Sequence, residues 1–164
     1  MKQIKKVFIW AGILAGAMFM IGCEGGEENA SPSPLPTQKS MMKTLSIYTI
    51  YSDTMSLVPV TVEKGETTIT PAYITSLVEG NLEDDAIRVY SAEQENERII
   101  LSFYADGKPF VNCSRKMENL ILDCFANSLL DNLDNCSEIV FRCEDKAYIS
   151  EHYSFKKNEV YASE

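Results

Sequence analysis

The alternation of apolar and polar residues after position 44 predicts a pair of β-strands. "SIYTIYSD" and "LVPVTVEKGE" are short β-rich runs joined by Asp53-Thr54-Met55-Ser56. In the second run Val58, Val60 and Val62 share one face by period-two alternation. Pro59 cannot donate a backbone hydrogen bond to a neighbouring strand, so the strand Leu57–Glu63 is predicted to lie at a sheet edge.

Two segments carry helix signals. Thr70 and Pro71 supply an N-cap and a first-turn proline for "PAYITSLVE", and Gly80 is predicted to end that helix. Residues 116–133 form the clearest helix, and Ser114 can cap its start. Its apolar stripe consists of Met117, Leu120, Ile121, Cys124, Phe125 and Leu129, and its polar line at i,i+4 of Asn119, Asp123, Asn127 and Asp131.

The remaining strands complete the fold prediction. "AIRVYS" is a strand, and "RIILSFYADGKPFVNCS" is interpreted as a hairpin around Asp106-Gly107, with Leu101 opposite Val111. "EIVFRCEDKAYI" is a last strand. The element order predicts an α+β fold in which two helices pack on one face of a mixed β-sheet.

The N-terminus has the pattern of a secretory signal. Lysines at positions 2, 5 and 6 precede the uncharged run Val7–Gly22, whose helical length of roughly 24 Å is short of the roughly 30 Å hydrocarbon core. The stretch "FMIGCEGG" resembles the lipobox at which bacterial lipoproteins are cleaved and lipidated, which implies a lipid on Cys23. An uncleaved short anchor is the alternative.

Composition divides the rest of the chain into two parts. Residues 23–44 are rich in Gly, Pro, Ser and Glu and are predicted to form a disordered tether, and residues 45–164 hold the apolar residues of one domain. Without residues 1–22, 12 basic residues remain against 24 acidic ones, a net charge of -12. Such a charge repels nucleic acid and anionic headgroups, so attachment to the membrane is expected through the lipid.

Candidate chemistry is sparse. His152 is the single histidine and is expected to be exposed, and the acidic runs 24–28 and 83–85 are interpreted as solvated surface. No metal, cofactor or catalytic residue is therefore predicted. Beyond Cys23 there are four cysteines, for which buried free thiols and one structural disulfide both remain open: Cys113, Cys124, Cys136 and Cys143.

Several stretches together resemble the GerMN domain of lipoproteins linked to spore formation and germination. They are "SLVPVTVEK", "TPAYITSLVEG", "YADGKPFVNCS" and "MENLILDCFANSLLDNLDNCSEIVFRCEDK", which cover roughly residues 46–150. The resemblance implies a fold like that of ring-building domains, without catalytic residues. It also implies a protein-binding or assembly role at the cell envelope, in sporulation or germination.

The leading functional hypothesis is thus a non-catalytic, lipid-anchored binding module on the extracytoplasmic face of the cell membrane. Its expected partners are other envelope proteins, including further copies of itself, and the strand edge Leu57–Glu63 is the expected binding surface. A lipoprotein that senses a small molecule or a peptide is the alternative. An enzyme ranks third.

Overall fold

The structure, a computed structural model, describes residues 44–65, 67–82 and 84–162. Its architecture is α+β, as the sequence predicts, with two helices and two sheets. In chain order the elements are β1 (Thr44–Tyr51), β2 (Ser56–Glu63), α1 (Pro71–Leu82), β3 (Val89–Glu95), β4 (Arg98–Phe103), α2 (Arg115–Asn132), β5 (Glu138–Cys143) and β6 (Lys146–Ala147).

The strands form two sheets, and the prediction of one mixed sheet is wrong in that respect. β1 and β2 pair antiparallel as a two-stranded sheet, and the second sheet has the order β3-β4-β5-β6. In the second sheet only β4 and β5 run parallel. A parallel pair needs a long crossover connection, and α2 supplies it between these two strands.

Both helices begin where the capping residues predict. The Tyr73 amide donates to Thr70 Oγ1 at 3.1 Å, and the Met117 amide donates to Ser114 Oγ at 3.3 Å. These side chains satisfy amides that a helix start otherwise leaves unpaired. The predicted stop at Gly80 is wrong, because α1 continues to Leu82.

The predicted hairpin around Asp106-Gly107 is also wrong. Its first arm is β4, but the chain after Gly107 turns toward the start of β3, where the Lys108 amide donates to the Ala86 carbonyl at 2.8 Å. A Cβ at position 107 would lie 2.3 Å from that carbonyl oxygen, so glycine is needed for this close approach. Val111 is consequently exposed and does not face Leu101.

The hairpin of this sheet joins β3 and β4 through Asn96-Glu97, with a positive φ of 59° at Asn96.

A single hydrophobic core joins both helices and both sheets. Phe103 of β4 meets Phe125 of α2 edge to face, with ring centroids 5.2 Å apart, and stacks on Phe141 of β5 at 5.9 Å. All three side chains are fully buried. Neither helix of the described residues combines the length and the hydropathy needed to cross a bilayer.

The chain after β6 forms an irregular segment, residues 148–161, that we call the C-terminal strap. The Phe155 amide donates to the Tyr148 carbonyl at 2.8 Å, and the Tyr161 amide donates to the Ile139 carbonyl of β5 at 2.7 Å. Aromatic rings attach the strap to the core, including Tyr148 against Phe110 at 4.7 Å and Tyr161 against Phe141 at 4.9 Å.

Candidate functional site

Helix α2 binds the middle of the β1 edge that faces away from β2. The Ser46 amide donates to Asn132 Oδ1 at 3.0 Å, and Asn132 Nδ2 donates to the Ser46 carbonyl at 2.6 Å. The Tyr48 amide donates to Ser128 Oγ at 2.9 Å. Helix side chains therefore satisfy backbone groups that a neighbouring strand would otherwise bind.

The opposite edge of the sheet, on β2, is open. In the observed register Ser46 lies opposite Thr61 and Tyr48 opposite Pro59. Because Ser46 and Tyr48 direct their backbone groups away from β2, Thr61 and Pro59 direct theirs away from β1. Among the described residues no hydrogen bond reaches these outward groups of β2. The sequence prediction of an edge strand is confirmed, and we call this row the β2 edge: the outward backbone groups of Leu57, Pro59, Thr61 and Glu63.

Side chains beside the β2 edge are only partly covered. Val58, Val60 and Val62 are half-buried, whereas Leu45 and Ile47, which lie on the same face of β1, are buried. Of these three valines only Val62 packs against the buried core cluster. The sheet therefore ends in an apolar row that a further strand would cover.

The polar line of α2 is engaged by tyrosine hydroxyl groups at three of its four positions. Tyr153 donates to Asn119 Oδ1 at 2.9 Å, Tyr161 donates to Asp123 Oδ1 at 2.9 Å, and Tyr48 donates to Asp131 Oδ2 at 2.8 Å. Hydrogen bonding to the Asp131 carboxylate raises the pKa of Tyr48 above its ordinary value. Two of these tyrosines belong to the C-terminal strap, so this line attaches the strap to the helix.

Sequence reasoning missed a buried carboxyl group in the first turns of α2. Glu118 is fully buried; its Oε1 accepts a hydrogen bond from the buried Tyr148 hydroxyl at 2.7 Å, and its Oε2 has no partner among the described residues. Burial, and then the bond to Glu118, raises the pKa of Tyr148. The sequence does carry a signal of this burial: Glu118 precedes Ile121 and Phe125 by three and seven residues, and this helical spacing places it on the apolar stripe.

The four cysteines of the domain are free thiols, so the structure has no disulfide among them. Cys124 is buried, as predicted, while the other three are half-buried. Burial raises the pKa of Cys113 to about 11 and that of Cys124 to about 12. Burial also raises the pKa of Cys136 and of Cys143, so none of the four is activated toward thiolate chemistry at neutral pH.

The other candidate residues of the sequence have structural contacts. His152 is half-buried rather than exposed, and its Nε2 lies 2.9 Å from the Cys113 carbonyl oxygen, because the strap folds back over the start of α2. Asp84 pairs with Lys108 at 2.5 Å, and this hydrogen bond holds the pKa of Asp84 below its ordinary value. Cys23 and the acidic run 24–28 lie outside the described residues.

An open cleft of about 380 Å³ lies beside the turn between β3 and β4. Its lining consists of charged and polar residues, Glu95, Asn96, Glu97, Arg98 and Glu138. Arg98 and Glu138 bond to each other in that lining, with Arg98 Nε 2.8 Å from Glu138 Oε2. Ligand pockets are mostly apolar, so this cleft lacks their usual character. In the described part of the chain, no group of His, Cys, Asp and Glu side chains is arranged to hold a metal ion.

Comparison with known proteins finds no relative of this chain. A scan against protein-family models finds no matching family. Searches of curated proteins and of solved structures find no match either. Function is therefore inferred from the residues of this chain and from their geometry.

Proposed function

We propose that this protein is a lipid-anchored, non-catalytic protein-binding or assembly module of the cell envelope, and that it binds its partner through the β2 edge. The observation that carries the proposal is the contrast between the two edges of one small sheet. Helix α2 binds the middle of the β1 edge, at Ser46 and Tyr48, through Ser128 and Asn132, while no described residue forms a hydrogen bond with the β2 edge. Native proteins usually protect strand edges, so an open one next to a closed one is a candidate binding surface.

Binding would take place by strand addition. An extended partner segment would accept hydrogen bonds from the amides of Leu57, Thr61 and Glu63 and donate to the outward carbonyls of β2. Alternate side chains of that segment would cover the half-buried row Val58, Val60 and Val62. Backbone pairing supplies affinity in this mode, and the valine row favours a segment with apolar residues at every second position.

Attachment to the membrane follows from the N-terminal sequence. The signal pattern ending at Gly22-Cys23 supports a lipid on Cys23 at the extracytoplasmic face, and the acidic composition disfavours attachment by charge. A role in sporulation or germination is supported by the resemblance to the GerMN domain. We include that role in the proposal as the setting in which a partner is best sought.

Capture of partners from host membranes by the tagged full-length protein tests the proposed surface. Thr61→Pro removes one outward amide of the β2 edge and should reduce the captured partner at least about tenfold. Thr61→Ala keeps the amide and should capture like the wild type. The far-UV spectrum and melting temperature of Thr61→Pro should stay close to those of Thr61→Ala, because this amide has no partner in the described fold.

Full capture by Thr61→Pro would exclude the β2 edge. Saturable binding of a small molecule by the protein, without capture of any protein, would favour the sensing alternative. A capture experiment with and without sporulation conditions would test the proposed setting.

A further inference from the structure

We infer that the β2 edge pairs with the β2 edge of a second copy of this chain, antiparallel and about a twofold axis at Val60. This inference rests on the proposed function, because it uses the same surface, and it specifies the partner and the register. In a twofold antiparallel pairing residue i of one copy faces residue j of the other, and the same pair recurs with the copies exchanged.

Backbone geometry limits the registers that such a pairing can take. The outward groups belong to Leu57, Pro59, Thr61 and Glu63, so these residues must form the hydrogen-bonded pairs. Centring the axis on Val60 places Leu57 opposite Glu63 of the second copy and Pro59 opposite Thr61. This register pairs the whole stretch Leu57–Glu63, whereas a shift by two residues in either direction leaves one end unpaired.

Pro59 is compatible with this register. The Thr61 amide of each copy donates to the Pro59 carbonyl of the other, and Leu57 and Glu63 exchange both of their hydrogen bonds across the interface. The missing amide of Pro59 leaves only the Thr61 carbonyl of each copy without a strand partner, so the pairing forgoes one hydrogen bond per copy.

Side chains on the valine face complement themselves. Val60 would meet Val60 of the second copy as a non-hydrogen-bonded pair, in which side chains approach most closely, and Val58 would face Val62. The half-covered row of one copy would thus be covered by the same row of the other.

Charge does not prevent this arrangement but makes it sensitive to salt. The one charged residue of the paired stretch, Glu63, would lie near opposite ends of the two strands, about 20 Å from its copy, beyond the Debye length of about 8 Å at physiological ionic strength. The net charge of -12 that remains on each copy without residues 1–22 still repels a second copy. Raising the salt concentration should therefore strengthen the pairing.

Oxidative cross-linking of the full-length protein in detergent tests the register. Val60→Cys should cross-link to itself readily, because two copies of position 60 would be neighbours at the axis. Val58→Cys is the matched control: it would lie about 14 Å from position 58 of the second copy, too far for a disulfide, and should not exceed the wild-type background. The native thiols of the domain are buried or half-buried, so their background should be low.

Adding Thr61→Pro to Val60→Cys should lower the cross-linked fraction at least about tenfold, because two symmetry-related hydrogen bonds are lost. Thr61→Ala should leave it unchanged. Equal cross-linking at positions 58 and 60, or none at position 60, would overturn the inference. If cross-linking fails while Thr61→Pro still abolishes capture of another protein, the proposed function stands and the partner is not a second copy.

Discussion

At the scale of single residues, the buried pair of Glu118 and Tyr148 places a half-satisfied carboxyl group in the core of the domain. A carboxyl group in the core loses its hydrogen bonds to water. The bond from the Tyr148 hydroxyl, at 2.7 Å, compensates for this loss at only one of the two Glu118 oxygens. The same tyrosine packs against Phe110 and Phe155, so it joins the first turns of α2 to the C-terminal strap. The pair therefore connects the stability of the strap to that of the core.

Removing the Tyr148 hydroxyl should lower the stability of the domain substantially only while Glu118 is present. Tyr148→Phe leaves both carboxyl oxygens without a partner in the described fold and should lower the free energy of unfolding by about 1–3 kcal/mol. In a Glu118→Leu background the same change leaves no unpaired carboxyl group and should cost clearly less. A double-mutant cycle by urea denaturation measures this difference. An equal cost in both backgrounds would show that the hydrogen bond does not contribute to stability.

At the scale of elements, α2 organises the domain through three different faces. Its apolar stripe packs on the core through Ile121, Phe125 and Leu129, which are fully buried. Its polar line binds tyrosines of the strap and of β1. Its last turns close the β1 edge. The cap and the stripe were predictable because they depend on residues close in sequence, but the tyrosine partners of the polar line are distant in the chain and had no local signal.

The closure of the β1 edge by α2 can be tested at Asn132. Asn132→Ala removes both the acceptor for the Ser46 amide and the donor to the Ser46 carbonyl, and should cost about 1–3 kcal/mol. Hydrogen exchange at the Ser46 amide should accelerate in the same variant. Asn127→Ala is the control on the same helix: Asn127 is half-buried, and no hydrogen bond of its side chain is found among the described residues. Its effect should stay within about 0.5 kcal/mol. Similar losses for both variants would contradict the proposed closure.

At the scale of the whole molecule, the sequence predicts the fold class and the position of the open edge but not the arrangement of the sheets. Pro59 marks β2 as an edge because proline lacks an amide, which is a property of one residue. The order of the second sheet depends on the parallel pairing of β4 with β5, whose partners lie 40 residues apart, as Arg98 and Glu138 do. The hairpin predicted at Gly107 is wrong for a related reason. Asp-Gly is typical of a hairpin turn, but here the glycine permits contact with Ala86, and no local pattern shows that contact.

Anchoring and edge pairing reinforce each other in the proposed function, because a lipid confines copies of the domain to one surface and raises their effective concentration. Edge pairing of a short strand is weak in free solution, so this confinement should be needed for assembly in cells.

Cys23→Ser should therefore release the protein from the membrane fraction, or leave an unprocessed precursor, and should lower Val60→Cys cross-linking in cells. Cross-linking of the purified protein at equal concentration should be unchanged. Cys136→Ser, which removes a half-buried thiol of the domain, is the matched control and should keep both membrane attachment and cross-linking. Mass spectrometry of wild-type protein from membranes should find a lipid-modified Cys23 at the N-terminus. An intact Met1 there would exclude lipid anchoring and would leave the β2 edge to act without it.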